Sequence, residues 1–64
     1  MTLRLEYDPE ANAAYFRFAS GAVQESAEYG DGIVLDYDAK GRIVGMEVLD
    51  ARRRLSPDLL SEAA

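Results

Sequence analysis

Asp36, Asp38 and Glu47 are the residues whose types and spacing come nearest to site chemistry in this chain. Two carboxylates two positions apart on a strand end leave the same face. A third on the returning strand would complete an all-oxygen set of the kind a hard cation takes. Calcium wants about six to eight such oxygens, and the spacing Asp36-x-Asp38-x-x-Gly41 lacks the glutamate that closes a calcium loop. Carboxylates beside a turn ordinarily accept backbone amides and stay hydrated, and that is the role expected here. No metal site and no cofactor are expected.

Arg52-Arg53-Arg54 is the sharpest charge run. Three guanidinium groups in a row can grip phosphate or an acidic protein surface, which makes Arg52, Arg53 and Arg54 the candidate partner contact. No aromatic residue interleaves with them. Asp50, Asp58 and Glu62 stand close enough in the chain to offset them. The plainer role is a solvated stretch between the last strand and a helix.

The aromatic residues are Tyr7, Tyr15, Phe16, Phe18, Tyr29 and Tyr37. A tyrosine on a strand buries its ring and keeps its hydroxyl at a rim, so these six are expected in the core or at an interface. Tyr7 and Tyr15, near the ends of the first two strands, are expected as cross-strand neighbours. A tyrosine acting as a general acid needs a base, and the chain has no histidine. Without histidine or cysteine there is no Ser/His/Asp or Cys/His nucleophile, no disulfide and no Cys/His zinc site. Gly30-Asp31-Gly32 is a turn and lacks the third glycine and helix of a phosphate loop. The chain is expected not to be an enzyme.

These residues must be positioned by strands. Leu3, Leu5 and Tyr7 alternate with Arg4 and Glu6, the pattern of a half-buried strand. Asp8-Pro9-Glu10-Ala11-Asn12 breaks it, because proline fixes its own φ and drives Asp8 toward an extended conformation. Residues 13–19 form the second strand, with Ala14, Phe16 and Phe18 on one face and Tyr15 and Arg17 on the other. The more polar run 23–29 reads as an edge strand, where charge discourages foreign pairing. The strongest hairpin follows. Residues 33–37 and 42–49 flank Asp38-Ala39-Lys40-Gly41, whose aspartate and glycine suit a type I turn with a left-handed residue after it. Val44, Met46 and Val48 share one face of the returning strand, and Ile43, Gly45, Glu47 and Leu49 the other. Ser56-Pro57-Asp58 then starts a helix over about 57–63: serine caps, proline suits the first position and aspartate the positive end.

The predicted fold is therefore α+β and mainly β: one small domain over 1–64, an antiparallel β-meander of four to five strands over about 2–49, an arginine-rich connection over 50–55 and a short C-terminal helix. A chain of 64 residues buries only roughly 60% of its unfolded surface, so its own core is marginal. Small domains compensate with disulfides, metals or association. With disulfides and a Cys/His zinc site excluded and 48% hydrophobic residues, a homo-oligomer, a dimer or larger, is expected. Twelve acidic and seven basic residues give a net charge of −5, which repels nucleic acid and suits a basic protein partner. No run approaches the ~20 apolar residues of a membrane span and no signal peptide is evident, so a cytoplasmic location is expected.

Tyr7-Asp8-Pro9-Glu10-Ala11-Asn12-Ala13-Ala14-Tyr15 resembles the YDPEADALYI stretch of a small prokaryotic family, domain of unknown function 2283 (DUF2283). Asp31 to Asp38 and Gly41 to Ala51 resemble its second motif. Asn12 stands where that pattern has an acidic residue, and Phe16 where it has an aliphatic one. The tail after Leu55 lies outside the resemblance. The family implies a fold and no catalytic residues. It also implies kinship with small accessory proteins encoded beside putative toxin genes, and so an antitoxin-like role with a cognate toxin as partner. The leading expectation is a non-enzymatic protein-interaction module. A self-assembling structural homo-oligomer and a carboxylate-based metal or small-ligand binder are the alternatives.

Overall fold

The computed structural model describes residues 3–63. The expected start of the sheet at Thr2 lies outside them. Five strands form one antiparallel sheet: β1 Arg4–Asp8, β2 Ala13–Arg17, β3 Glu25–Tyr29, β4 Ile33–Tyr37 and β5 Ile43–Leu49. Their spatial order is β1-β2-β5-β4-β3. Strands β3, β4 and β5 are a meander. The hairpin β1–β2 attaches to the far side of β5 rather than to β3. β5 is the strand able to take that central place. At seven residues it is the longest, and it pairs with β2 on one side and β4 on the other. The link from β2 to β3 runs along the sheet end, where the Phe18 N–H donates to the Val44 carbonyl (2.9 Å) and the Gln24 N–H to the Tyr37 carbonyl (2.7 Å).

The turn between β4 and β5 forms as its residues dictate. The Asp38 carboxylate accepts the Lys40 and Arg42 N–H groups, each at 2.9 Å, and Gly41 takes φ +76°. That left-handed value costs glycine nothing and strains a residue with a side chain.

The arginine-rich connection is not extended. It folds as one helical turn, α1 (Ala51–Arg54), and a second helix, α2 (Pro57–Ser61), follows it. Asp50 turns the chain at φ 55° and Ala51 packs completely inside, which sets the three arginines on a helix start. Ser56 caps α2 by accepting the Asp58 N–H at 3.2 Å. Leu55 and Leu60 pack against the buried cluster of Ala14, Val48 and Ala51, as do Leu5, Tyr7, Phe16, Ile33 and Met46 from the sheet.

This cover is partial. The buried hydrophobic residues among those described are Ala14, Val44, Val48 and Ala51, and no large side chain is fully buried. The accessible surface is 4492 Å², against about 4,100 Å² for a folded monomer of this mass. The Cα radius of gyration is 11.8 Å, against about 10.7 Å for a chain of this length. The molecule is a slab of 33 × 26 × 17 Å: a sheet with helices over one end of one face.

Candidate functional site

The two faces of the sheet differ in chemistry, and register assigns each residue to one. Leu5 lies opposite Phe16, Phe16 opposite Met46, Met46 opposite Leu35, and Leu35 opposite Ala27. That row crosses all five strands on the apolar face. One residue along, Glu6, Tyr15, Glu47, Val34 and Glu28 form a row on the other face.

On this polar face, Tyr15 reaches diagonally across β5. Its hydroxyl donates to Asp36 Oδ2 on β4 at 2.8 Å, and the Ser26 hydroxyl on β3 donates to Asp36 Oδ1 at 2.6 Å. One aspartate thus joins β2, β4 and β3 over the central strand. The reach needs bare backbone beneath it, and Gly45 supplies that. A Cβ there would collide with the Tyr15 hydroxyl and lie 2.8 Å from its Cζ. Partial burial, then the Asp36 carboxylate, push the Tyr15 phenol above its ordinary range. Arg17, beside Tyr15 on the same face, turns its guanidinium to the Gly21 carbonyl. Glu6, Asp8, Ala13, Tyr15 and Glu47 line an open recess of about 430 Å³ on this side. The arrangement can accept positive charge and donates one well-held phenol.

Tyr7 and Tyr15 are not cross-strand neighbours. Tyr7 lies opposite Ala14 and Tyr15 opposite Glu6, so the two rings leave opposite faces. The expected pairing is one residue out of register, and a one-residue slip exchanges faces.

Tyr7 instead enters a clasp at the other end of the sheet. Its hydroxyl donates to Asn12 Oδ1 at 3.0 Å and accepts Arg52 Nη1 at 2.9 Å. Asn12 also accepts the Arg52 N–H at 3.0 Å through Oδ1, and its Nδ2 donates to Asp50 Oδ1 at 3.1 Å. Asn12 and Asp50 both hold left-handed backbone, at φ 53° and 55°. Short polar side chains make that conformation tolerable, because they satisfy nearby polar groups. The clasp fastens the β1–β2 turn to the β5–α1 junction, and sequence reasoning missed it. Its one local signal was an asparagine ending a turn.

The three arginines go to three places. Arg52 binds Tyr7 and the Pro9 carbonyl. Arg53 Nε bonds Asp50 Oδ2 at 2.6 Å, which holds the Asp50 carboxyl below its usual range and raises the Arg53 guanidinium. Arg54 lies over Gly32, 3.9 Å from Asp31. The carboxylates first considered for a cation are also apart. Asp36 serves Tyr15 and Ser26. Asp38 serves its own turn and Arg42 Nε at 3.0 Å, and the Arg42 N–H chiefly holds its carboxyl below the usual range. Glu47 lies in the neighbouring row, opposite Val34. Among the described residues no three acidic side chains converge on one point.

The apolar face away from the helices holds the other aromatics. Phe16 and Phe18 stack with ring centroids 6.5 Å apart. Leu35 and Tyr37 are half-buried, and Tyr29 is 56% exposed. The Tyr29 hydroxyl is the main cause that raises the Tyr37 phenol, and it acts with slight burial and the nearby Glu25 charge.

A family model described as "Protein of unknown function (DUF2283)" matches residues 4–52. The chain belongs to the DUF2283 family. The match takes in all five strands and the clasp residues Tyr7, Asn12, Asp50 and Arg52, and it stops within α1. For this DUF2283 chain no curated protein and no solved structure matches. Among its described residues no helix is long and apolar enough to cross a membrane.

Proposed function

We propose that the chain is a non-enzymatic protein-interaction module that meets a basic partner protein through the open half of its apolar face. The observation that carries this reading is the half-buried apolar surface around Phe18, Leu35 and Tyr37, bordered by the exposed Tyr29. It lies on the same face as the buried cluster, outside the group of residues on which Leu55 and Leu60 pack. Contiguous exposed apolar surface with a polar surround is what protein partners bury. The charge of −5 selects the sign of that partner, and Glu25, opposite Tyr37, places a carboxylate at the border of the patch. Such charge steers encounter and penalises acidic competitors. Neutralisation of a basic toxin is the form of this role that the resemblance to small accessory proteins encoded beside putative toxin genes implies. On the polar face Asp36 is held by Tyr15 and Ser26.

The test is capture from the source organism with tagged parent and tagged Phe18→Asp, followed by intact-mass spectrometry. The parent is expected to bring down a basic protein at fixed stoichiometry. The variant, with an unchanged circular dichroism spectrum, is expected to lose it. Recovery of the chain alone, or a partner retained by Phe18→Asp, overturns the reading.

A further inference from the structure

Strand β3 lies at the outer edge of the sheet, and all five of its residues, Glu25 to Tyr29, are exposed. An outer strand offers a row of backbone N–H and C=O groups to any strand that comes alongside. Natural edges are commonly guarded by lysine, proline or a bulge. β3 has no lysine and no proline, and its ladder to β4 runs through five pairs without a shift. Its only guards are Glu25 and Glu28.

We propose that this edge pairs with the same edge of a second copy, antiparallel, about a two-fold axis through Ala27. The inference concerns a different surface from the aromatic patch and does not rest on the function proposed for it. In that register Glu25 lies opposite Tyr29 of the second copy, Ser26 opposite Glu28, and Ala27 opposite Ala27. No carboxylate faces a carboxylate, so the glutamates that would repel a shifted or foreign acidic strand leave this one pairing open. Tyr29, 56% exposed in the single chain, gains a carboxylate partner for its hydroxyl. Ala27 and Tyr29 share the face of Leu35 and Ile33, so the apolar faces of the two copies become continuous across the junction. The opposite edge is less suited. Pairing β1 with itself about its central residue sets Glu6 against Glu6, and the Arg52 guanidinium already occupies the end of that strand at Tyr7 and Pro9. A β1–β3 contact would be head-to-tail and would propagate to a ring or a filament, whereas β3 against β3 closes as a dimer.

The absence of cysteine makes the register directly testable. Antiparallel partners lie about 4.5–5.5 Å apart at Cα, within the span a disulfide bridges. Ala27→Cys is expected to form a covalent dimer in glutathione buffer, under conditions where the exposed turn variant Glu10→Cys does not. Ser26→Glu sets two carboxylate pairs across the junction, and sedimentation is expected to show dimer affinity reduced roughly tenfold. A parent that sediments as a monomer up to millimolar concentration overturns the proposal. So does a dimer in which Ala27→Cys crosslinks no faster than Glu10→Cys. Either result leaves the aromatic patch and its proposed partner to stand on their own test.

Discussion

A methyl group added at Gly45 would lie 2.8 Å from Tyr15 Cζ and 3.3 Å from the Phe16 carbonyl oxygen. The ring can swing away only by giving up Asp36, and the carbonyl belongs to the neighbouring strand. Gly45→Ala is therefore expected to cost about 1–3 kcal/mol as an overpacked site, read as a lower Tm. A Tm equal to the parent's would mean that Tyr15 is not held across β5. Charge at single residues sets the acid limit. Arg53 chiefly holds the Asp50 carboxyl low, and the Arg42 backbone N–H chiefly holds that of Asp38 low. A carboxyl with a lowered folded pKa stabilises fully above its unfolded value of about 3.9, and that stability disappears as pH falls through the folded value. Tm is thus expected to be level near neutrality with respect to these groups and to fall below about pH 4. Asp50→Asn keeps a residue that tolerates left-handed backbone and removes the charge. It should melt below the parent at pH 7 and converge with it near about pH 2. A constant difference at both pH values would contradict the ionic origin.

Among the elements, α2 is the one whose existence depends most on a single hydrogen bond. Its five residues are far fewer than the ~12 at which an isolated helix becomes even marginal in water. Two things hold it: the Ser56 cap and the seating of Leu60 on the sheet. Ser56→Ala is expected to cost about 1 kcal/mol and to speed amide exchange at Leu59 and Leu60, while the β5 amides stay protected. Uniform loss of protection would mean that the helix and sheet unfold as one unit. The Ser-Pro-Asp start of α2 was legible in the sequence because capping chemistry is local. The Asp38–Gly41 turn was legible for the same reason, as was the polar edge strand. The placement of the first hairpin beside β5 was not, because alternation gives faces but not neighbours. The Tyr15–Asp36 bond was hidden too. It spans 21 positions and depends on an empty glycine surface between them. Residues 51–54 read as a connection because three consecutive arginines carry no amphipathic period. The helical turn there comes from the left-handed Asp50 and the burial of Ala51.

For the molecule as a whole, the decisive fact is the unfinished core. Two of its four buried hydrophobic residues are alanines, and the larger apolar side chains remain partly in water. Hydrophobic burial supplies most of the folding free energy, and a domain this small has little in reserve. Cysteine and histidine are both absent, so neither a disulfide nor a Cys/His zinc site can add to that burial, and this is the ground for proposing association. Five strands in one layer also give the fold broad faces and two outer strands, β1 and β3.

The central claim is that contact with another chain completes this fold. Urea unfolding of the isolated protein, followed across a wide range of protein concentration, tests it most directly. If folded dimer is in equilibrium with unfolded chains, apparent stability rises by about 1.4 kcal/mol for each tenfold increase in concentration, and the midpoint moves up with it. A midpoint independent of concentration, in a protein that sediments as a monomer and binds no hydrophobic dye, would show a chain complete by itself and would contradict the account.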